Sequence, residues 1–288
     1  MDILKIAGVP EHFNLPWQLA LETDAFAKAG VQVEWEFNKA GTGSMVAALK
    51  NNEVDLAIVL TEGIVSAIIN GLEAKIIKPF ITTPLIWGIH TGINSGVQNV
   101  MDCKHCKIAI SRFGSGSHLM AMVDADANNR SIAKENFVVV TDIDGALNSL
   151  ATNESQIFYW EKFTTKPYVD NGQLKRIGEF VTPWPCFVIA ASNKAIQEKP
   201  ELISKVLDTI NKVSGEFVAS SNAVQLLIDR FKMKPQDATA WFYNTDWSYD
   251  YSISAKMLQN VMHALKSVKA IEKEVNADFL CSRNLNLK

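Results

Sequence analysis

Short apolar runs alternate with amphipathic segments through the first 84 residues of the chain. The strand-like runs are ILKIAGV, VQVEWEF, VDLAIVL and KIIKPFIT, and the helix-like segments between them are PWQLALETDAFAKAG, SMVAALKNN and IVSAIING. The run DLAIVL is continuously apolar, as expected for a strand that is covered on both faces. This β-α-β-α-β-α-β order predicts an α/β fold with a mostly parallel sheet and right-handed crossovers.

A second α/β unit begins at KIAIS, after a polar stretch that ends near Asp102. It continues through NFVVV, a helix at residues 143–150, QIFYW and LKRIGEF. The chain then returns through the strand TPWPCFVIAAS, whose prolines prevent a helix, into a wholly helical tail at about residues 200–277. Apolar residues recur at helical spacing in that tail and predict a buried stripe: Leu258, Val261, Met262, Leu265 and Val268.

The 288 residues are 48% hydrophobic and 20% charged, with a formal net charge of -3. Charges this evenly balanced offer no basic patch for a phosphate backbone, so we expect no nucleic-acid partner. No apolar run approaches the ~18 residues that cross a bilayer, so we expect no membrane insertion. The first ten residues lack the pattern of a secretory signal. This predicts a cytoplasmic protein, or a periplasmic or lipid-anchored one if a signal has been removed.

Cys103 and Cys106 in DCKHCK are close in sequence and flank His105. A tetrahedral zinc site needs four ligands and usually a second pair of them, which the sequence does not offer. We therefore expect reduced thiols in a surface loop, with no metal site and no cofactor.

The stretch SRFGSGSHLMAM, residues 111–122, joins a short apolar run to an apolar helix-like run. Its glycines let backbone N–H groups approach a ligand, and a helix N-terminus attracts anionic groups. A Walker loop would need Lys-Ser/Thr where Ser117-His118 stands, and the dinucleotide pattern also fails. A hydrolase elbow needs glycines two residues on either side of its serine, which neither Ser115 nor Ser117 has. Two interpretations remain: a seat for a polar ligand, or a serine that only caps the helix.

The order of these pieces resembles the type II periplasmic-binding-protein fold, in particular the binding proteins for sulfonates, taurine, nitrate and thiamine precursors. The resemblance is carried by LKIAGVP with its polar loop and helix, AGTGSMVAALKNNEVDLAIVLTEG, KIAISRFGSGSHLMA, and ALNSLATNESQIFYWEKF followed by PCFVIAAS. It implies two lobes, each a mostly parallel sheet flanked by helices, with a ligand cleft between them. Lobe one would hold residues 1–86 and 187–288, and lobe two residues 87–186. The lobes would close by hinge motion at about residues 85–90 and 184–188.

Ligands of open α/β sheets bind outside the carboxyl ends of the strands, so the residues that follow each predicted strand are the candidate ligand-binding residues. In lobe one these are His12, Phe13, Asn14, Thr42, Gly43, Ser44, Thr61 and Glu62. In lobe two they are Arg112, Ser115, Gly116, Ser117, His118, Trp160 and Glu161, with Trp184 beside the returning crossover. The resemblance implies ligand binding by the helix start at residues 115–118. It also matches Trp160-Glu161 to the family's W-E-P position, although Lys162 stands in place of proline.

Glu62 argues against a purely anionic ligand. A carboxylate in the cleft would repel a sulfonate or nitrate, unless the carboxylate faced an amine or a hydrogen-bonding ring of the ligand. A zwitterionic or heterocyclic ligand is therefore expected. The alternative is that Glu62 caps the following helix or lies on the rim. His12 and His118 are likewise either ligand contacts or hydrogen-bonded structural histidines.

The leading hypothesis is a solute-binding protein that closes two lobes on a small polar, anionic, zwitterionic or heterocyclic ligand, with no catalytic residue. If the chain is exported, ABC transporter membrane subunits are its expected partners. The alternative is an enzyme on the same fold, of the thiamine-pyrimidine or menaquinone-pathway type, with His12, His118 and Glu62 as acid–base candidates. The effector-sensing domain of a regulator ranks last, because the N-terminus leaves no room for a helix-turn-helix.

Overall fold

The computed structural model describes residues 3–103 and 105–288. Its strands are β1 (Ile3–Gly8), β2 (Gln32–Phe37), β3 (Leu56–Leu60), β4 (Ala74–Gly92), β5 (Ile108–Ile110), β6 (Phe137–Val139), β7 (Ile157–Glu161), β8 (Leu174–Ser192), β9 (Ser252–Ile253) and β10 (Asn286–Leu287). Its helices are α1 (Leu15–Glu22), α2 (Ala25–Lys28), α3 (Thr42–Lys50), α4 (Thr61–Ile69), α5 (Gly116–Ala127), α6 (Ile143–Ala151), α7 (Lys166–Asp170), α8 (Asn193–Glu198), α9 (Pro200–Ala219), α10 (Ala223–Phe231), α11 (Pro235–Tyr243), α12 (Ala255–Ser267) and α13 (Ala277–Leu280).

Eight strands form one sheet in the order β2-β1-β3-β8-β4-β7-β5-β6. In its first half β1 pairs in parallel with β2 and β3, and in its second half β5 pairs in parallel with β6 and β7. Every residue of β3 is buried, as its continuous apolar run predicts. The predicted α/β fold, with mostly parallel strands and flanking helices, is confirmed.

Two long strands connect the halves of the sheet. β4 and β8 each span 19 residues and pair antiparallel, so both run from one half into the other. Their register shifts repeatedly around Pro84, which lies opposite Pro185. Proline donates no ladder hydrogen bond, so the two strands are held least regularly at this crossing. The crossing overlaps the predicted hinge ranges, while the lobe boundaries at residues 86 and 186 stay a prediction.

The C-terminal tail differs from the wholly helical segment that was expected. β9 and β10 form a small parallel sheet within and after it. The chain before β9 also hydrogen-bonds to the irregular part of β4: Thr82 N donates to Asp246 O at 2.9 Å, and Ser248 N donates to Phe80 O at 2.8 Å. These bonds satisfy backbone groups that the shifted β4–β8 pairing leaves free. The predicted stripe on α12 is buried, and this helix packs against α4 and α5.

The expected reduced thiols at Cys103 and Cys106 are wrong, because a disulfide joins the two residues. A 3-10 turn, Val100–Asp102, ends at Cys103, and the two Cα atoms lie 5.2 Å apart, within the range that a disulfide bridges. Both sulfurs are therefore unavailable as metal ligands. Within residues 3–103 and 105–288, no helix combines the length and apolar character that a membrane span requires.

Candidate functional site

A cleft of about 250 Å³ lies at the carboxyl ends of the strands, between the two halves of the sheet. Seven of the sixteen predicted residues line it: Thr42, Arg112, Ser115, Gly116, Ser117, Trp160 and Glu161. Its two ends differ in charge. We call the end at Arg112, Lys39 and the N-termini of α3 and α5 the basic end, and the end at Glu11 and Glu161 the acidic end.

The loop before α5 builds one wall of the basic end. The Ser115 hydroxyl donates to Arg112 O at 2.7 Å and accepts from His118 N at 3.4 Å, and the Ser117 hydroxyl accepts from Ser111 N at 3.1 Å. The serines therefore cap the helix, and they line the cleft as well, so both interpretations of this loop hold geometrically. The first turns of α3 and α5 contain no acidic residue. Apart from His118 N, which Ser115 caps, the first N–H groups of these helices and their partial positive charge are therefore suited to an anionic group.

Arg112 reaches across the cleft to the loop before α3. Its Nη1 donates to Ala40 O at 2.7 Å. Its Nη2 is buried and has no hydrogen-bond partner among the described residues. The guanidinium lies against Gly43, where an added Cβ would stand 2.5 Å from Nε. Gly43 is therefore the residue that permits this approach, and Arg112 keeps one N–H group free for an acceptor.

The acidic end contains two carboxylates, and a histidine lies behind them. Glu161, 4% exposed, accepts a hydrogen bond from Thr164 N at 2.6 Å through Oε2, and burial raises its pKa. Burial, with the neighbouring Glu161 carboxylate, raises the pKa of Glu11 to about 8. His12 Nε2 lies 3.8 Å from Glu161 Oε2, and burial lowers the pKa of His12 to about 3. Because the imidazole is neutral at pH 7, it does not neutralise the carboxylates.

Tryptophans and aliphatic side chains form the wall between the two ends. Trp87 and Trp160 both line the cleft, as do Leu60 and Leu85. The Trp87 ring is fixed because Nε1 donates to Thr182 Oγ1 at 2.9 Å. Gly116 lets α5 approach this ring, since a Cβ there would meet Trp87 Cη2 at 2.8 Å. The cleft is therefore suited to a ligand with an apolar middle and polar ends.

Nine predicted residues do not line the cleft, and those at the start of α4 face the core instead. Glu62 is fully buried, and Trp184 Nε1 donates to its Oε2 at 2.9 Å. Burial raises the pKa of Glu62 to about 7. The Thr61 hydroxyl donates to Pro185 O at 2.6 Å. The first turn of α4 is thus bonded to β8 and its crossover, and Glu62 lies neither in the cleft nor on its rim.

The other residues outside the cleft lining have structural partners. Phe13 packs against Phe187 and Trp241, and Asn14 Nδ2 donates to Val9 O at 2.8 Å. Ser44 Oγ accepts from an asparagine side chain, and Gly43 backs Arg112. His118 Nδ1 accepts from Gly114 N at 3.1 Å while its ring packs on Phe137, and burial lowers its pKa to about 4. For His118 the structure favours the structural alternative.

Several residues that line the cleft are not among the sixteen predicted ligand-binding residues: Glu11, Lys39, Trp87, Asp142 and Asp144. The rule of strand ends could have found four of them, since Glu11 follows β1, Lys39 follows β2, and the two aspartates follow β6. Trp87 lies within the long strand β4, and no local signal distinguishes it from a core tryptophan.

A second cleft of about 620 Å³ lies behind the acidic end, between α7 and the segment that joins α10 to α11. His12 lines this cleft rather than the first one. Four of its charged residues are paired with one another: Lys234 Nζ lies 2.8 Å from Asp170 Oδ2, Lys166 Nζ lies 3.7 Å from Asp237 Oδ2, and Lys166 also pairs with Asp170. The first cleft, where charged groups remain open, is therefore the candidate functional site.

A family model and several solved structures of known proteins match this chain. Residues 87–180, about a third of the chain, match the family model described as Ca3427-like PBP. The structure is similar to that of the CA3427 gene product of Candida albicans, with 25% identity, a TM-score of 0.88, and coverage of 100% of this chain and 98% of that one. The chain has the type II periplasmic-binding-protein fold, and the predicted resemblance is confirmed.

Two further solved structures are similar at lower identity. The alkanesulfonate-binding protein SsuA from Xanthomonas axonopodis pv. citri, bound to MOPS, matches with 13% identity, a TM-score of 0.81 and 98% coverage of both chains. The periplasmic nitrate-binding protein NrtA from Synechocystis matches with 15% identity and a TM-score of 0.73, over 98% of this chain and 86% of that one. No curated protein matches this sequence.

Proposed function

We propose that this protein binds a small solute that carries an anionic group, in the cleft between its two lobes, and closes the lobes upon it. Two proteins of similar structure are named for the solutes they bind, an alkanesulfonate and nitrate, and this supports solute binding in general. The crossing of β4 and β8 near Pro84 and Pro185 provides the hinge, because the register of the two strands is irregular there. No covalent chemistry is required of this chain.

The basic end carries this proposal. Arg112 presents a buried Nη2 without a hydrogen-bond partner among the described residues, beside two helix N-termini whose first turns contain no acidic residue. A buried donor left unpaired costs about 1–3 kcal/mol, which an anionic ligand group would recover. Arg112 follows β5 in lobe two and bonds to Ala40 in lobe one, so an anion held there favours the closed arrangement.

If the chain is exported, it delivers its solute to the membrane subunits of an ABC transporter from the periplasm or a lipid anchor. If it stays in the cytoplasm, the same cleft makes it a carrier or sensor of the solute.

The proposal is tested by thermal unfolding of the full chain with single compounds: alkanesulfonates, taurine, nitrate, phosphate esters and pyrimidines. A binder at a hundredfold excess over its Kd raises the free energy of unfolding by about 2.7 kcal/mol, which shifts the Tm by several degrees. The compound is then recovered from the complex and its mass measured. A shift with unchanged compound supports solute binding, and no shift from any anionic compound contradicts the proposal.

The alternative of an enzyme on this fold is favoured by one observation. Glu11, His12 and Glu161 gather at the acidic end with shifted pKa values, an arrangement that is common among acid–base catalysts. The same recovery experiment separates the two functions. An enzyme of the thiamine-pyrimidine or menaquinone-pathway type would return a converted compound, whereas a binding protein returns the original one.

A further inference from the structure

The charges that line the first cleft do not suit a ligand that is only an anion. Four carboxylates line it, those of Glu11, Asp142, Asp144 and Glu161, against two cationic groups, Lys39 and Arg112. Asp142 is partly occupied, because its Oδ1 accepts from Gly145 N at 2.9 Å as the N-cap of α6. Asp144 is exposed at the start of α6. Of the other two, Glu161 accepts one backbone hydrogen bond, from Thr164 N, and no Lys or Arg side chain forms a salt bridge with Glu11 or Glu161 among the described residues.

These two carboxylates come from different lobes. Glu11 lies three residues after the end of β1, in the first half of the sheet, and Glu161 is the last residue of β7, in the second half. Both line the same cleft, and the charge of Glu161 raises the pKa of Glu11. With no cation between them, the pair keeps a proton, and losing that proton would bring like charges together in a site that excludes water, which is unfavourable. A positively charged ligand group can take the place of that proton.

The surroundings leave one hydrogen-bonding position open at this pair. His12 is 4% exposed, and its Nε2 has no hydrogen-bond partner within the part of the chain that the structure describes. This nitrogen lies 3.8 Å from Glu161 Oε2, too far for a direct hydrogen bond. Aromatic rings of Phe13 and Trp241 hold the imidazole in place, at ring-centre distances of 4.9 and 4.3 Å. The buried His12 side chain therefore points toward the Glu161 carboxylate but forms no hydrogen bond with it.

Arg176 is the nearest candidate for a built-in counter-ion, and it is already engaged elsewhere. Its charge lowers the pKa of Glu161, but less than burial raises it. Its Nη2 donates to Lys162 O at 2.7 Å, and its Nη1 lies 3.6 Å from Glu179 Oε1. Arg176 does not line the first cleft. A positive charge beside Glu11 and Glu161 would therefore have to come from a bound ligand.

We propose that Glu11 and Glu161 form a cross-lobe subsite for a positively charged nitrogen that bears hydrogen, either an ammonium group or a protonated ring nitrogen. The inference rests on the proposed function and narrows its substrate class to zwitterions. Such a ligand places its anionic group at the basic end, its apolar part between the tryptophans, and its N–H group between the two carboxylates. The ligand nitrogen is then what allows both lobes to approach, so Glu11 and Glu161 determine specificity as well as closure.

The test compares compounds that differ only at this nitrogen. The probes are ω-aminoalkanesulfonates and the ω-hydroxyalkanesulfonates of equal length, with two to four methylene groups. A second matched set is 3-(N-morpholino)propanesulfonate and its isostere with CH in place of the ring nitrogen. Affinities are measured by calorimetry at pH 6.5 for the wild-type chain, Glu11→Gln, Glu161→Gln and Glu135→Gln. Glu135 is an exposed carboxylate in the same part of the chain as Glu161 and serves as the control.

We expect the wild type and Glu135→Gln to bind the nitrogen-bearing member of at least one pair about tenfold more tightly, the effect of one charge-assisted hydrogen bond. Glu161→Gln and Glu11→Gln should each reduce that preference to less than about threefold while leaving the affinity for the nitrogen-free member unchanged. Equal affinity for both members in the wild type overturns the subsite and leaves the proposed function standing. If neither member of any pair binds, the proposed function fails, and the subsite fails with it.

Discussion

The two ends of the cleft have opposite charge and are built in different ways. The basic end is made from two helix N-termini without acidic residues in their first turns and from one arginine. The absence of a side chain at Gly43 lets the Arg112 guanidinium pack against the backbone there. The acidic end is made from buried side chains, two carboxylates and a neutral histidine that leave a hydrogen-bonding position open. The basic end thus has its positive charge before a ligand arrives, with Arg112 Nη2 still without an acceptor among the described residues, whereas the acidic end has no positive charge until a ligand supplies one. In the proposed function, the basic end therefore supplies affinity for any anionic group, and the acidic end selects among such ligands.

Glu62 is a reference for the carboxylates of the acidic end, because it is also buried but receives its N–H donor, Trp184, from the protein itself. Burial raises its pKa from 4.5 to about 7, so between these values the folded state keeps a proton that the unfolded state has released. The wild-type free energy of unfolding should therefore fall as pH rises through this window, by about 1.4 kcal/mol per pH unit at most.

Glu62→Gln cannot titrate, so its stability relative to the wild type should improve by about 3 kcal/mol between pH 4.5 and 7 and stay constant above. Urea unfolding across this range measures the difference. Glu198→Gln, at an exposed site on α8, is the control and should show a constant difference. A constant difference for Glu62→Gln as well would show that this carboxylate titrates normally.

Arg112→Ala breaks the basic end directly. Losing a charged hydrogen-bond donor costs about 2 kcal/mol, so the affinity for a simple alkanesulfonate such as butanesulfonate should fall about thirtyfold. Calorimetry of the folded variant measures this change, and Arg283→Ala, at an exposed site, is the matched control. An unchanged affinity in Arg112→Ala would remove the arginine from the binding site.

Gly43→Ala tests the same end without removing any charge. Its Cβ would stand 2.5 Å from Arg112 Nε, so the guanidinium must move away from the cleft wall. We expect the affinity for butanesulfonate to fall about fivefold, equivalent to about 1 kcal/mol. Gly96→Ala, where nothing lies within 4 Å of the added Cβ, should bind as the wild type does. Equal binding by both variants would mean that the position of Arg112 is unimportant.

Asp170→Asn gives the smallest expected effect. This residue joins α7 to the C-terminal helices through Lys234, with Lys166 and Asp237 completing the network. If the network helps to hold the lobes together, its loss weakens the apparent affinity only about twofold, since surface ion pairs contribute little. The difference should vanish in 0.5 M salt, which calorimetry at two salt concentrations can check. A twofold loss that persists in high salt would point to a change in structure instead.

Local patterns were sufficient to predict the fold and the start of α5. The alternation of strand-like and helix-like runs predicts the α/β sheet, and the Gly-Ser pattern at residues 114–117 predicts a capped helix start. That helix start lies in the cleft because it follows a strand, which a sequence also shows.

Tertiary packing, which no local pattern encodes, determines the acidic end. It also determines which predicted residues, such as Glu62, lie outside the cleft. Glu62 and Glu161 both follow or end a strand, and only the structure distinguishes them: Glu62 is rotated onto Trp184, while Glu161 faces the cleft. The long strands β4 and β8 read as interrupted segments in the sequence because of their prolines. The disulfide between Cys103 and Cys106 was missed because a spacing of three residues alone does not distinguish a disulfide from two reduced thiols.

The most direct test of solute binding is a crystal structure of the full chain with the tightest-binding aminoalkanesulfonate. We predict the unmodified compound in the first cleft, with its sulfonate near Arg112 and the N-terminus of α5. Its nitrogen should lie within hydrogen-bonding distance of Glu161. A compound bound in the second cleft beside Lys166 and Asp237, or a chemically converted product in the first, would contradict the account.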